Sequence, residues 1–262
     1  MLAPESRPPA LMRIDAMPAP QRAQLALGIQ PQPDDTTCGP TCLHAVYQFW
    51  GEDISLRQVI NETQVLPGGG TLAVHLACHA LERGFDATIW TYNLKVFDPT
   101  WFTPPGMDLR DRLERQLAFK GGERLESITR GYLRFLELGG TLKFQELRTR
   151  LIRRPLTHGI PVITGLSATY LYGSAREWGP NDDYDDIRGE PSGHFVVLSG
   201  YDRKGRLVDV SDPLLRNPMA EGHHYLVGIE RVIGAIMLGV LTHDANLLTL
   251  TPVDHPSRTP PT

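Results

Sequence analysis

The sequence predicts an α+β protein in which an N-terminal helical lobe packs on a C-terminal antiparallel sheet. Two observations carry this. Apolar residues recur at helical spacing between residues 38 and 154, and short apolar runs bounded by Gly, Asp or Pro follow from residue 160 onward. Helices first and strands later give segregated layers, not alternating βα units. With 262 residues, 41% of them hydrophobic, the chain can bury one substantial core arranged as two lobes. A cleft between the lobes is the natural place for chemistry.

Each element has its own signal. Residues 1–28 are rich in Pro and Ala without a period and read as a partly ordered leader; nothing in them has the apolar block of a signal peptide. Residues 38–50 form a helical pattern stopped by Gly51. Ser55 is placed to cap a helix over 56–64, Gly68-Gly69-Gly70 break the chain, and Thr71 is expected to cap a helix over 72–83 that stops at Gly84. Residues 85–92 read as a strand. The charged block 108–154, with Leu109, Leu113 and Leu117 and later Leu133, Phe135 and Leu136 at helical intervals, reads as a helical insertion. Strands are expected at 160–163, 194–201, 207–210, 235–241 and 247–250, and residues 253–262 as a tail. The catalytic domain is thus expected to span 29–252.

The formal net charge of −4 and the absence of a basic cluster exclude a nucleic-acid partner, because phosphate neutralisation needs grouped Lys and Arg. No stretch approaches the roughly 20 apolar residues of a membrane span. Three cysteines cannot pair completely, which fits a reducing cytoplasm.

Chemistry concentrates in two segments. In the first, Gln32 precedes a polar, turn-prone stretch that gives way to a helix at Cys38-Gly39-Pro40. A thiol at a helix N-terminus meets the positive end of the dipole, which favours the thiolate. Gly39 permits close backbone approach and Pro40 suits a first helical turn. The Gln32 amide and the Cys38 N–H together offer an oxyanion hole. Against this stands the ordinary reading of Cys38 as a small core residue, which is the reading preferred for Cys42. In the second segment, Gly193-His194 opens an apolar strand, and Asp212-Pro213 follows the next strand, where a carboxylate returning to the imidazole can orient it.

The register of that strand pair selects the carboxylate. If Arg203-Lys204-Gly205 is a three-residue hairpin loop with Gly205 left-handed, Asp202 faces Arg206 and Val196 faces Asp212, diagonal to His194. Asp209 then faces Ser199 and points to the other side of the sheet.

In this order Gln32, Cys38-Gly39, Gly193-His194 and Asp212-Pro213 resemble the papain-like cysteine peptidases, most closely the bacteriocin-leader-processing type (family C-thirty-nine) and its stand-alone relatives. The resemblance implies a papain-like fold with Cys38 as nucleophile, His194 as base, Asp212 as orienter, Gln32 as oxyanion residue, a peptide or amide substrate, and no cofactor. The same acyl-enzyme would serve an acyltransferase or transpeptidase, and a non-catalytic peptide-binding module could keep the fold. A metal-bound structural protein would have to use His75, Cys78 and His79, whose angular spread on one helix suits zinc poorly; no metal is expected. The acidic run Asp182-Asp183-Tyr184-Asp185-Asp186 lacks calcium-loop spacing and reads either as a solvated loop or as a lid favouring a cationic substrate. His223-His224 suggest exposed polar residues before a helix.

Overall fold

The computed structural model describes residues 21–66, 69–103, 107–242 and 245–255. In chain order the regular elements are β1 (Arg22–Gln24), α1 (Cys38–Trp50), α2 (Leu56–Glu62), α3 (Ala73–Glu82), β2 (Phe85–Thr91), α4 (Leu109–Phe119), α5 (Glu123–Glu137), β3 (Thr141–Lys143), α6 (Thr149–Thr157), β4 (Val162–Ser167), α7 (Ala168–Tyr172), β5 (Glu177–Trp178), β6 (Asp183–Tyr184), β7 (Gly193–Asp202), β8 (Leu207–Ser211), β9 (His224–Gly228), α8 (Ile229–Leu238) and β10 (Asn246–Pro252). The α+β class read from the sequence holds.

The central sheet runs β3-β2-β10-β4-β7-β8-β9 and is antiparallel except for β2 with β3. Strand β7 is its spine: β4 covers one edge over Gly193–Leu198, and β1 takes over that edge at Gly200–Asp202. The alternation of its side chains builds two cores. Phe195 and Val197 face α1, α3 and α5 with Leu43, Leu76 and Phe135. Val196 and Leu198 face α6 and α8 with Ile152, Leu156, Val232 and Ile236. Every residue of β7 from His194 to Tyr201 is buried, as expected for a strand covered on both faces.

Several sequence expectations shift. The run 235–241 is the end of helix α8 and a 3₁₀ turn, because its apolar residues pack from one helical face onto β4. His223-His224 lead into strand β9, paired with β8, and not into a helix. Strand β4 starts two residues later than expected and runs on through Gly165 to Ser167. Within the expected leader, residues 22–24 are a sheet strand and Leu27 is buried; residues 1–20 lie outside the described residues. Within the block 108–154, three helices accompany strand β3. The α2 cap is Ser55, as expected, but the N-cap of α3 is Leu72, and the Thr71 hydroxyl instead donates to the Gln64 carbonyl at 2.8 Å. At the stops, Gly51 (φ +80) and Gly84 (φ +83) adopt the left-handed conformation that glycine enters without penalty. Of the three glycines at 68–70, Gly68 falls outside the described residues.

Candidate active site

Cys38 is the first residue of α1. The turn before it is built by Asp34, whose Oδ1 accepts from the Thr36 N–H (2.9 Å) and hydroxyl (2.7 Å), while the Thr37 hydroxyl donates to the Asp34 carbonyl (3.1 Å). This self-contained turn fixes where the helix begins. Gly39 is required there: a Cβ would stand 2.5 Å from Thr71 Cγ2, so the close approach comes from the protein itself. Cys42, one turn on, is fully buried and its thiol donates to the Phe195 carbonyl at 3.3 Å, joining α1 to β7.

His194, near the start of β7, directs Nε2 to Asp212 Oδ1 at 2.8 Å. Nδ1 is therefore the nitrogen left for Cys38, which lines the same cleft and lies within electrostatic reach of the ring. Asp212 has no exposed surface and its carboxylate is fully engaged. Oδ1 also accepts from the Leu214 N–H (2.9 Å), and Oδ2 accepts from the hydroxyls of Tyr172 (2.8 Å) and Tyr225 (2.6 Å). Four donors around one buried carboxylate offset its desolvation. Burial pushes the Asp212 carboxyl up, but the His194 charge and the hydrogen bonds outweigh it, and the net direction is down. Burial likewise opposes a charged His194; the charge and hydrogen bond of Asp212, with Cys38 adding to them, prevail and raise the imidazole to about 10. His194 is thus cationic at neutral pH.

The register that selects Asp212 arises differently from the expectation. The β7–β8 loop has four residues, Arg203 to Arg206; Asp202 faces Leu207, and the left-handed residue is Arg206 (φ +53), not Gly205. That moves the pairing by one, so Asp209 faces Gly200. A bulge at Ser199 then restores the offset, giving Leu198 opposite Val210 and Val197 opposite Ser211. Asp212 comes next in line, beside the start of β7. Asp209 lies 3.9 Å from Arg22, far from the imidazole along β7, and its Oδ2 is buried without a hydrogen-bond partner.

Gln32 is brought to the same place through its backbone, whose N–H donates to the Pro213 carbonyl at 2.9 Å. Its side-chain amide donates to the Asp34 carbonyl at 2.9 Å, and its Oε1 is buried without a partner. One amide N–H is therefore spent on the turn and one is left. Cys38 and His194 line one cleft of about 180 Å³, walled by Phe195, Leu66 and Leu72.

Sequence reasoning missed the carboxylate's other partners. Tyr172 and Tyr225 stand 40 and 13 residues from Asp212, and no spacing connects them. His223, for which no partner was foreseen, contacts the Asp212 carbonyl through Nδ1 at 2.7 Å. Glu177 on β5 was also missed; burial raises its carboxyl, and it lies within electrostatic reach of His194. The acidic run falls on the hairpin of β5 and β6. Asp185 is consumed in its turn, accepting from the Ile187 and Arg188 N–H groups and from Arg188 Nε, so the run has one carboxylate fewer for a cationic substrate.

His75, Cys78 and His79 border a separate cavity of about 410 Å³. His79 is held between the Tyr47 hydroxyl (2.7 Å) and Glu62 (3.1 Å), and Cys78, pushed up to about 12 chiefly by burial, points to the Gly131 carbonyl. Among the described residues no group of three His, Cys, Asp or Glu side chains is placed to hold a metal, and no helix is long and apolar enough to cross a membrane.

Comparison with known proteins gives one family. The "Peptidase_C39 like family" matches residues 116–225, a stretch that contains His194 and Asp212 and begins after Gln32 and Cys38. No curated protein matches the chain. Among solved structures, the chain is similar to a putative C39-like peptidase from Bacillus anthracis (14% identity, TM-score 0.46, 88% of this chain and 97% of that one). It is similar also to xylellain, a cysteine protease from Xylella fastidiosa (13%, TM-score 0.42, 90% and 87%). A third is a double glycine motif protease from an AMS/PCAT transporter, in complex with the leader peptide (14%, TM-score 0.42, 88% and 95%). Residues 116–225 are thus similar to the C39-like peptidase family, the family that Gln32, Cys38, His194 and Asp212 resemble.

Proposed function

We propose that this chain hydrolyses peptide or amide bonds with Cys38 as nucleophile, His194 as general acid and base, and Asp212 as the orienting carboxylate. The observation that carries the reading is the buried 2.8 Å pair of His194 Nε2 and Asp212 Oδ1, with Cys38 at a helix N-terminus lining the same cleft as the ring. With the thiol proton held on His194 Nδ1, the Cys38 sulfur attacks the carbonyl carbon. The oxyanion is held by the Cys38 N–H and by the Gln32 N–H not used on Asp34. The C–N bond breaks as the imidazolium gives its proton to the leaving amine. His194 then takes a proton from water, whose hydroxide cleaves the thioester and returns the thiol. Asp212 stays ionised throughout, keeping Nε2 as a donor.

One catalytic unit from about residue 29 to 252 and a cytoplasmic location belong to this reading; the three free thiols support the second. The test is a peptide library incubated with the protein and read by mass spectrometry. Wild type should release fragments, and Cys38→Ser and His194→Ala, folded to the same melting temperature, should not. Cleavage that persists in Cys38→Ser would overturn the assignment.

A further inference from the structure

The acceptor sites of the Asp212 carboxylate are all filled, and two of the groups that fill them are tyrosines. A carboxylate offers about four lone-pair sites, two on each oxygen. Those on Oδ1 take His194 Nε2 (2.8 Å) and the Leu214 N–H (2.9 Å). Those on Oδ2 take the hydroxyls of Tyr172 (2.8 Å) and Tyr225 (2.6 Å). A proton arriving on Oδ2 must therefore displace a tyrosine. The same two bonds keep the carboxylate from turning, so that Oδ1 stays on the imidazole.

The tyrosines reach Asp212 from separate elements. Tyr172 ends α7, and its ring lies beside that of His194 with centroids 6.2 Å apart. Tyr225 lies on β9, opposite Val210 of β8. Burial pushes both hydroxyls above the ordinary tyrosine range, so both remain protonated donors at and below neutral pH. The other titratable neighbours are engaged elsewhere. On α1, the Cys42 thiol is within electrostatic reach of Asp212, but burial keeps it protonated and it donates to the Phe195 carbonyl. Cys38 lies within electrostatic reach of His194 and Tyr172. His223, before β9, contacts the backbone carbonyl of Asp212 and not its carboxylate. Burial alone does not demand such bonds: Tyr92 is more deeply buried than Tyr225, yet its hydroxyl has no hydrogen-bond partner.

We propose that Tyr172 and Tyr225 are positioning residues of the reaction, whose hydroxyls close both acceptor sites of Asp212 Oδ2 and so hold Oδ1 on His194 and keep the carboxylate ionised in acid. The inference rests on the Cys38, His194 and Asp212 reading, to which it adds what sustains the orienting charge. The sign is fixed by the chemistry. A hydroxyl that donates to a carboxylate favours its charged form, so its removal raises the pH at which Asp212 takes up a proton. His194 then loses its charged partner, and activity fails at a higher pH on acidification.

The test compares wild type, Tyr172→Phe, Tyr225→Phe and the double variant, with Tyr92→Phe as the control for deleting a buried hydroxyl outside the site. The substrate is a peptide that wild type cleaves in the library above. The acid limb of kcat/KM should move up by about one pH unit for each Asp212-bound hydroxyl removed, the scale of a hydrogen bond to a charged group. Tyr92→Phe should leave the limb in place. A purely structural role would lower the melting temperature without moving the limb, and an acid limb shared by wild type and the double variant would overturn the proposal. If wild type cleaves no peptide, the catalytic reading fails separately, and a carbon-13 NMR titration of the Asp212 carboxyl decides this inference. A midpoint raised by about one unit per hydroxyl upholds it; an unchanged midpoint overturns it.

Discussion

Asp212→Asn replaces the buried carboxylate by an isosteric amide and removes the charge that holds the proton on His194. In the native protein burial opposes that charge, yet the imidazole titrates at about 10 because Asp212 faces it at 2.8 Å. Without the carboxylate, burial, the largest influence, is opposed only by the smaller one of Cys38, and the ring should titrate below its ordinary value of about 6.5. A fall of roughly three or more units corresponds to about 4 kcal/mol of lost preference for the imidazolium. The stability signature has a defined window. The raised His194 contributes stability that is full below about pH 6.5 and is lost as pH rises through its folded value near 10; the depressed Asp212 contributes stability present above about pH 4 and lost on further acidification. Wild type should therefore exceed Asp212→Asn most between about pH 4 and 6.5, and the gap should narrow by pH 10. Urea unfolding across this range and the proton NMR titration of the His194 ring measure both quantities. Turnover should fall by about 10²- to 10⁴-fold, as the imidazole loses its orienting partner. An imidazole that still titrates near 10 in Asp212→Asn, with turnover intact, would refute the reasoning.

Three further outcomes follow from neighbouring groups. Gln32→Ala should lower turnover by about 10²-fold with little change in stability, because the amide stabilises charge that develops in the transition state; unchanged steady-state kinetics would remove Gln32 from the site. Gly39→Ala should destabilise by about 1–3 kcal/mol, since its Cβ meets Thr71 Cγ2, and Thr71→Ser should relieve most of that in the double variant by deleting the methyl while keeping the hydroxyl on Gln64; equal costs of Gly39→Ala in both backgrounds would contradict the clash. Asp209→Asn should leave turnover unchanged and raise stability at pH 7 by a few tenths of a kcal/mol, because burial raises this partly exposed carboxyl and its ionisation opposes folding. That gain should disappear near pH 3, where the carboxyl is protonated in folded and unfolded chains alike, and a loss of activity would show that the wrong aspartate carries the triad.

The candidate site was legible in the sequence where local chemistry and chain order meet. Cys38 sits where a turn becomes a helix, His194 where a strand opens, and Asp212 where the next strand ends. The structure brings all three to one place. The route to Asp212 was less secure than its result. The loop is one residue longer than expected, and only the bulge at Ser199 restores the alignment, a compensation that no turn rule reveals. The partners of Asp212 were hidden because Tyr172 and Tyr225 reach it through tertiary packing. Helix α8 was mistaken for a strand because 235–241 is a short apolar run, for which periodicity does not separate a buried helix from a buried strand. Strand β1 was missed because three residues in a Pro-rich context carry no pattern; it forms because β4 ends opposite Leu198 and leaves that edge of β7 open.

The central claim is that Cys38 is the activated thiol, and competitive alkylation with iodoacetamide at neutral pH, quantified for each cysteine by peptide mapping, tests it most directly. Burial pushes the Cys42 thiol up, and Cys78 is held at about 12, whereas Cys38 opens onto the cleft beside a cationic His194. The account predicts that Cys38 reacts fastest in the folded protein by at least about tenfold, and that His194→Ala removes most of that advantage. Faster reaction at Cys42 or Cys78, or a Cys38 rate indifferent to His194→Ala, would contradict it.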